Sequence, residues 1–156
     1  MKIGTRARYT LRFMIALGRL SSKGEPVGLG EVSRSSGISR RYLDHLVVPL
    51  KSASLIRAKA GRAGGYVLAR PADDIRLGDI IEAAIGPIAV TECAVDPEAC
   101  IAAEFCDCRE LWMLINRRIT AVLNDYTLAD MLSETWLARV QHELRKADHE
   151  PELARI

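Results

Sequence analysis

Apolar side chains recur at helical spacing over the first twenty residues: Tyr9, Phe13, Leu17 and Leu20 follow at intervals of four, four and three. The spacing predicts a helix over 5–20, with Thr5 able to cap its first turn. Ser21 to Pro26 read as a polar turn. A short helix follows from Leu29 to Ser35 and breaks at Ser36-Gly37, where glycine supplies the left-handed conformation a tight helix pair needs. The next helix opens at Ser39, a good N-cap, and carries Tyr42, Leu43, Leu46 and Val47 to about Leu50, with Pro49 near its end. Two short helices across a glycine turn read as a helix-turn-helix.

Beyond Leu55 the period changes. Leu55-Ile56-Arg57 and Tyr66-Val67-Leu68 are β-prone runs flanking Lys59-Ala60-Gly61-Arg62-Ala63-Gly64-Gly65, a two-stranded ribbon with a flexible basic tip. A ribbon after a helix-turn-helix makes a winged helix. Asp73 to Gly86 predicts another helix with Leu77, Ile80, Ile81, Ala84 and Ile85 inward, stopped by Gly86-Pro87. Ile88 to Glu104 has no helical period and contains Pro97; an irregular segment of that length is usually functional or disordered. Leu111, Leu114, Ile115, Ile119, Val122 and Leu123 then form an apolar stripe, and Thr127-Leu128-Ala129-Asp130 resembles a capping box opening a last helix toward Arg145. Residues from Ala147 onward read as a frayed tail. No internal repeat is visible. The fold class is mainly α with a small β-wing, divided into a winged-helix part (1–86), a cysteine-bearing loop (87–104), dimerisation and C-terminal helices (105–146) and a flexible tail (147–156).

Composition sharpens this outline. With 156 residues, 49% hydrophobic and 27% charged, the chain can bury one real core, and collagen-like, fibrous and disordered classes are excluded. Arg6, Arg8, Arg12 and Arg19 interrupt each apolar stretch before it reaches the length of a signal-peptide core or a membrane span. A cytoplasmic chain with no membrane partner and reduced cysteines is expected. The net charge of +2 conceals a division: residues 1–76 carry 15 Lys+Arg against 5 Asp+Glu, and residues 77–156 carry 7 against 15. A half at +10 suits a polyanion, and the half at −8 suits a separate task.

The charge directs attention to Ser39-Arg40-Arg41-Tyr42-Leu43-Asp44-His45. The start of a second helix in a helix-turn-helix enters the major groove, where arginine pairs with guanine and serine or tyrosine with phosphate. A solvated charged face is the plainer alternative, and the basic glycine-rich tip that follows argues against it. At that tip the glycines let the backbone approach a phosphate ridge or the minor groove, while Lys59 and Arg62 supply attraction. Double-stranded DNA is therefore the expected partner.

Four cysteines, Cys93, Cys100, Cys106 and Cys108, lie at C-x6-C-x5-C-x-C spacing. Random placement would gather all four in so short a window with a chance of about 0.004. Thiolates suit iron–sulfur clusters and zinc, and the tight C-x2-C to C-x4-C knuckles of structural zinc sites are missing. An iron–sulfur cluster is the favoured reading, with zinc or a thiol–disulfide switch as the alternative. His45, His142 and His149 lie away from the cysteines and read as surface or core-edge residues rather than ligands. No catalytic triad or phosphate-loop pattern occurs, so an enzyme is not expected. A small electron-transfer protein would account for the cysteines but leave the basic half without a purpose.

Arg8-Tyr9, the run from Gly37 to Leu46, the wing from Gly61 to Leu68, the cysteine segment and Leu111-Trp112 resemble, in the same order, the iron–sulfur cluster regulators. These are the IscR-like winged-helix repressors, whose relatives include the nitric-oxide-sensing NsrR and a cysteine-metabolism repressor. The resemblance covers about residues 1–135. It implies a DNA-binding homodimer, a dimerisation helix from about Glu104 to Leu123, and a cluster in the loop before it. Cys93, Cys100 and Cys106 match the three cluster cysteines, and Tyr42 and Asp44 match recognition-helix positions that meet DNA. Two departures follow. Arg109 stands where IscR-like proteins place a ligating histidine, and Arg8 where NsrR-like proteins use an aspartate, so Cys108 is the candidate fourth ligand ahead of Glu104, Asp107 or Glu110. A 2Fe-2S cluster is favoured over 4Fe-4S. Ala60 replaces a wing arginine, which leaves that part to Lys59 or Arg62. The expected activity is transcription regulation in response to iron–sulfur supply, oxidants or nitric oxide.

Overall fold

The computed structural model describes residues 3–21, 24–102 and 105–149. Helix α1 (Thr5–Leu20) runs through the core, with Ala7, Thr10, Phe13, Met14 and Leu17 fully buried. Thr10 is admitted to that apolar face because its hydroxyl donates 2.9 Å to the Arg6 carbonyl one turn back. Two expectations are corrected. Gly4, not Thr5, is the N-cap, and Thr5 accepts from the Arg8 guanidinium at 3.3 Å. Leu20 is exposed, because the inner face follows Ala7, Thr10 and Met14 rather than the line to Leu20.

Helices α2 (Leu29–Ser36) and α3 (Arg40–Ser52) form the predicted pair. Gly37 between them sits at φ 68°, where a side chain is strained, and donates its N–H to the Ser33 carbonyl. Ile38 is buried in the corner, held by Ser33 Oγ donating to its carbonyl at 2.7 Å. Leu43, Leu46, Val47 and Leu50 bury the inner face of α3, and Pro49 sits within its last turn.

Strands β1 (Ile56–Lys59) and β2 (Gly65–Leu68) pair antiparallel with Ile56 opposite Leu68 and Lys59 opposite Gly65. The wing has an unforeseen third member. Val27 exchanges both backbone hydrogen bonds with Tyr66, each 2.9 Å, and a Cβ on Gly65 would stand 2.4 Å from the Val27 carbonyl oxygen. Gly65 is therefore a close-approach residue, not merely part of a flexible tip.

The predicted helix over 73–86 is shorter. Ala72–Asp74 form one 3-10 turn, Ile75 is fully buried, and α4 spans Leu77–Ile85. Leu77, Ile80, Ile81 and Ala84 are buried as expected, whereas Ile85 is 52% exposed. Helix α5 (Asp107–Asp125) begins after the cysteine segment, and no side chain on it is fully buried. The chain then returns to the core: Leu128 N donates to Ile75 O and Leu77 N to Tyr126 O, and Leu128 is fully buried.

The capping box at Thr127 is present. Thr127 Oγ1 accepts from Asp130 N at 3.1 Å, and Asp130 Oδ2 accepts from Thr127 N at 2.8 Å. It opens only the short α6 (Leu128–Leu132), and the single last helix is corrected to two, with α7 at Trp136–His149. Ser133 makes the break: it is extended, and its hydroxyl donates to the Asp130 carbonyl. Ala147 to His149 are helical where fraying was expected; the remainder of the tail, like Glu104, lies outside the described residues. Among the described residues no helix is long and apolar enough to cross a membrane.

Candidate functional site

The first turn of α3 stands at the surface. Ser39 caps it by accepting from Tyr42 N at 3.4 Å, and Ser39, Arg40, Arg41, Asp44 and His45 are exposed. Among the described residues neither Arg40 nor Arg41 is held in an ion pair, so both guanidinium groups are available to a polyanion. Tyr42 is half-buried, its ring meeting that of Tyr9. Arg12 lies over the other ring of this pair, 5.7 Å from the Tyr9 centroid, and also donates to the Ser36 carbonyl at the end of α2. One side chain thus ties α1, the helix-turn-helix corner and, through Tyr9, the exposed helix start. The sequence reading missed Arg12 and Tyr9 in this role; the signal was an arginine three residues after a tyrosine on one helix.

Lys59 and Arg62 are exposed at the wing. Lys59 Nζ is within 3.4 Å of the Gly24 carbonyl, so this cation is partly anchored. Arg57, on the same strand, is exposed as well and was not singled out.

The cysteine segment is more ordered than its sequence suggested, with 3-10 turns at Glu92–Ala94 and Pro97–Ala99. Cys93 is half-buried within the first, its Sγ 3.3 Å from Thr91 Oγ1. Cys100 follows the second, Cys106 is the N-cap of α5, and both are half-buried. Cys108 is exposed in the first turn of α5. All four are free thiols, and among the described residues no three Cys, His, Asp or Glu side chains converge on one metal position. Cys106 caps α5 in an extended conformation, and Cys108 follows it within the first helical turn. Arg109 Nε instead donates to the Cys93 carbonyl at 3.0 Å, and Asn116 Oδ1 accepts from Val90 N at 2.9 Å. His45 and His142 are exposed and apart from the thiols; His149 has no described side chain.

The arrangement sets an exposed basic helix start and wing apart from four thiols, two at 3-10 turns and two at the start of α5. The sequence pattern of the Rrf2 family, described as an iron-dependent transcriptional regulator, matches residues 3–134. The chain belongs to the Rrf2 family. It is 38% identical over 135 residues to the HTH-type transcriptional regulator CymR of Bacillus subtilis, covering 86% of this chain and 92% of that one. The HTH-type transcriptional regulator IscR of Erwinia tasmaniensis is 32% identical over 154 residues, covering 96% and 92%. Among solved structures, CymR, the global cysteine regulator of B. subtilis, superposes with a TM-score of 0.69 at 36% identity, over 85% of this chain and 96% of that one. The IscR of T. potens gives 0.69 at 31% identity over 85% and 86%. This Rrf2 protein is accordingly a winged-helix, DNA-binding transcription regulator and not an enzyme.

Proposed function

We propose that this Rrf2 protein is a cytoplasmic homodimeric regulator whose DNA binding responds to an iron–sulfur cluster at Cys93, Cys100 and Cys106, with Cys108 as fourth donor. The observation that carries the reading is the fastening of the cysteine segment to α5 through Arg109 and Asn116. The donor set fits in its chemistry: Cys93 and Cys100 on the segment and Cys106 and Cys108 at the start of α5 are free thiols, soft ligands of the kind iron takes, which a cluster would have to draw together. When bound, a cluster supplies sensitivity to oxidants, nitric oxide or iron supply. The chain does the rest. Segment 88–102 joins the end of α4 to the start of α5, so a change in how its thiols are held is felt at α5. Helix α5 leaves Leu111, Leu114 and Val122 more than half exposed, which suits burial against a second copy. In a two-fold dimer any shift of that helix alters the spacing of the two recognition helices, to which operator binding is sensitive. The DNA-facing groups on this reading are Ser39, Arg40, Arg41, Tyr42, Asp44, Lys59 and Arg62.

The test is iron content and visible absorption of protein isolated without oxygen. Cys93→Ala, Cys100→Ala and Cys106→Ala should each remove the chromophore, and Cys108→Ala should leave a labile or altered one. Colourless, iron-free protein that binds DNA only when its thiols are reduced, or when zinc is present, would replace this reading by thiol or zinc control. The exposed Cys108 supports that alternative, as does the existence of a Staphylococcus aureus CymR structure in an oxidized form.

A further inference from the structure

Arg109 and Asn116 are seven residues apart on α5, two helical turns, and therefore share a face with about 10 Å of axis between them. Both reach the backbone of one short stretch. Asn116 Oδ1 accepts from the Val90 amide at 2.9 Å, and Arg109 Nε donates to the Cys93 carbonyl at 3.0 Å. The stretch therefore runs antiparallel to α5, and Cys93 comes to the helix end that Cys106 caps and Cys108 follows. The 3-10 turn around Cys93 is closed by bonds ending on the carbonyls of Thr91 and Glu92, which leaves the Cys93 carbonyl for Arg109. The Arg109 side chain is half-buried, as a group committed to this contact should be.

We infer that Arg109 and Asn116 are positioning residues forming a two-point clasp, which sets where Cys93 stands relative to Cys106 and Cys108 and ties that position to α5. Arg109 binds no metal; it orders a donor through its backbone. The clasp deepens the sensor reading above and rests on it only where a cluster is invoked. A peptide carbonyl accepting from a guanidinium makes a charge-assisted bond, so the Cys93 end is the stronger of the two.

The experiment uses reduced, metal-free protein and reads two signals: the iodoacetamide alkylation rate of each cysteine by peptide mass spectrometry, and hydrogen exchange of the Val90 amide. Arg109→Ala should raise the Cys93 rate about tenfold and Asn116→Leu about fivefold, as expected for loss of a charge-assisted and of a neutral hydrogen bond, with the exposed Cys108 unchanged in Asn116→Leu. Asn116→Leu should expose the Val90 amide to exchange, and Asn116→Asp, which keeps the acceptor, should protect it as Asn116 does. After anaerobic loading with iron and sulfide, Arg109→Ala should lose its absorption in air several times faster than the parent. Equal Cys93 rates in the parent, Arg109→Ala and Asn116→Leu would overturn the clasp whatever the spectra. If no chromophore forms in any protein, the cluster reading fails, and a faster Cys93 in the variants still upholds the clasp.

Discussion

The ring of Tyr9 on α1 meets the ring of Tyr42 on α3 edge to face, with centroids 5.4 Å apart and planes at 81°. Tyr42 belongs to the turn that presents Arg40 and Arg41, so a core helix orients the exposed start of α3. Edge-to-face pairs contribute about 0.5–1.5 kcal/mol beyond their burial. Tyr9→Leu should cost operator binding about that much, with little change on scrambled duplex, in fluorescence anisotropy titrations. Equal loss on both duplexes would mean that Tyr9 supports the fold alone.

Direct contacts should behave differently from anchoring ones. If Arg40 pairs with a base edge, Arg40→Ala should cost about 1–3 kcal/mol on the operator and relax sequence preference. Arg62→Ala and Lys59→Ala at the wing should weaken all sequences alike and flatten the dependence of log K on log salt, by about one for Arg62. The smaller change is expected for Lys59, whose ammonium is already near the Gly24 carbonyl. Uniform loss on specific and random duplex for every variant would remove the base-reading assignment from α3.

At the base of the wing, a Cβ on Gly65 meets the Val27 carbonyl oxygen at 2.4 Å and its carbon at 2.5 Å. Backbone cannot rotate away as a side chain can, so Gly65→Ala must separate Val27 from Tyr66. Overpacking of this kind costs about 1–3 kcal/mol, and chemical denaturation should register it. Retained stability together with weakened DNA binding would mean that the wing swings as a unit without straining the core.

The outer face of α5 carries Leu111, Leu114 and Val122 at 52, 54 and 56% exposure, whereas Ile115 and Ile119 are half-buried against the rest of the chain. Leu114→Glu combined with Val122→Glu should therefore give helical monomers with poor operator affinity, read by sedimentation and circular dichroism. A parent chain that sediments as a monomer at micromolar concentration would refute the dimer.

Asp130 is held below the ordinary carboxylate value of 3.8, first by the backbone N–H of Thr127 and then by the Thr127 hydroxyl and Arg139, against an opposing effect of burial. Lowering in the folded state means that the ionised carboxylate stabilises the fold above the unfolded value and loses that effect as the pH falls through the folded one. Asp130→Asn should therefore lower the melting temperature at pH 7, and the gap to the parent should close as the pH drops below 3.8. A gap independent of pH would assign the effect to packing. The Arg139 pair at 2.5 Å, with Arg139 also 5.3 Å over the Tyr126 ring, makes Arg139→Ala the companion variant.

The winged helix was legible in the chain because its determinants are local. Gly37 marks the turn, Ser39 the cap, the run from Leu43 to Leu50 the buried face, and the β-prone runs around Gly61 the wing. Each depends on residues within one or two turns, where period and cap chemistry are strong. The charge division between halves likewise needs no coordinates. What only the tertiary structure decided depends on contacts between residues far apart in sequence. Val27 joining Tyr66, Leu128 returning to Ile75, Arg12 reaching Ser36, Tyr9 meeting Tyr42, and Arg109 meeting Cys93 leave no periodic trace, since each needs one polar or apolar group at a distance set by other elements. The cysteines divide on the same line. Their spacing along the chain raised the expectation of a common task, whereas the hold of α5 on Cys93 came from two side chains, Arg109 and Asn116, that pattern alone assigns to an ordinary polar helix face.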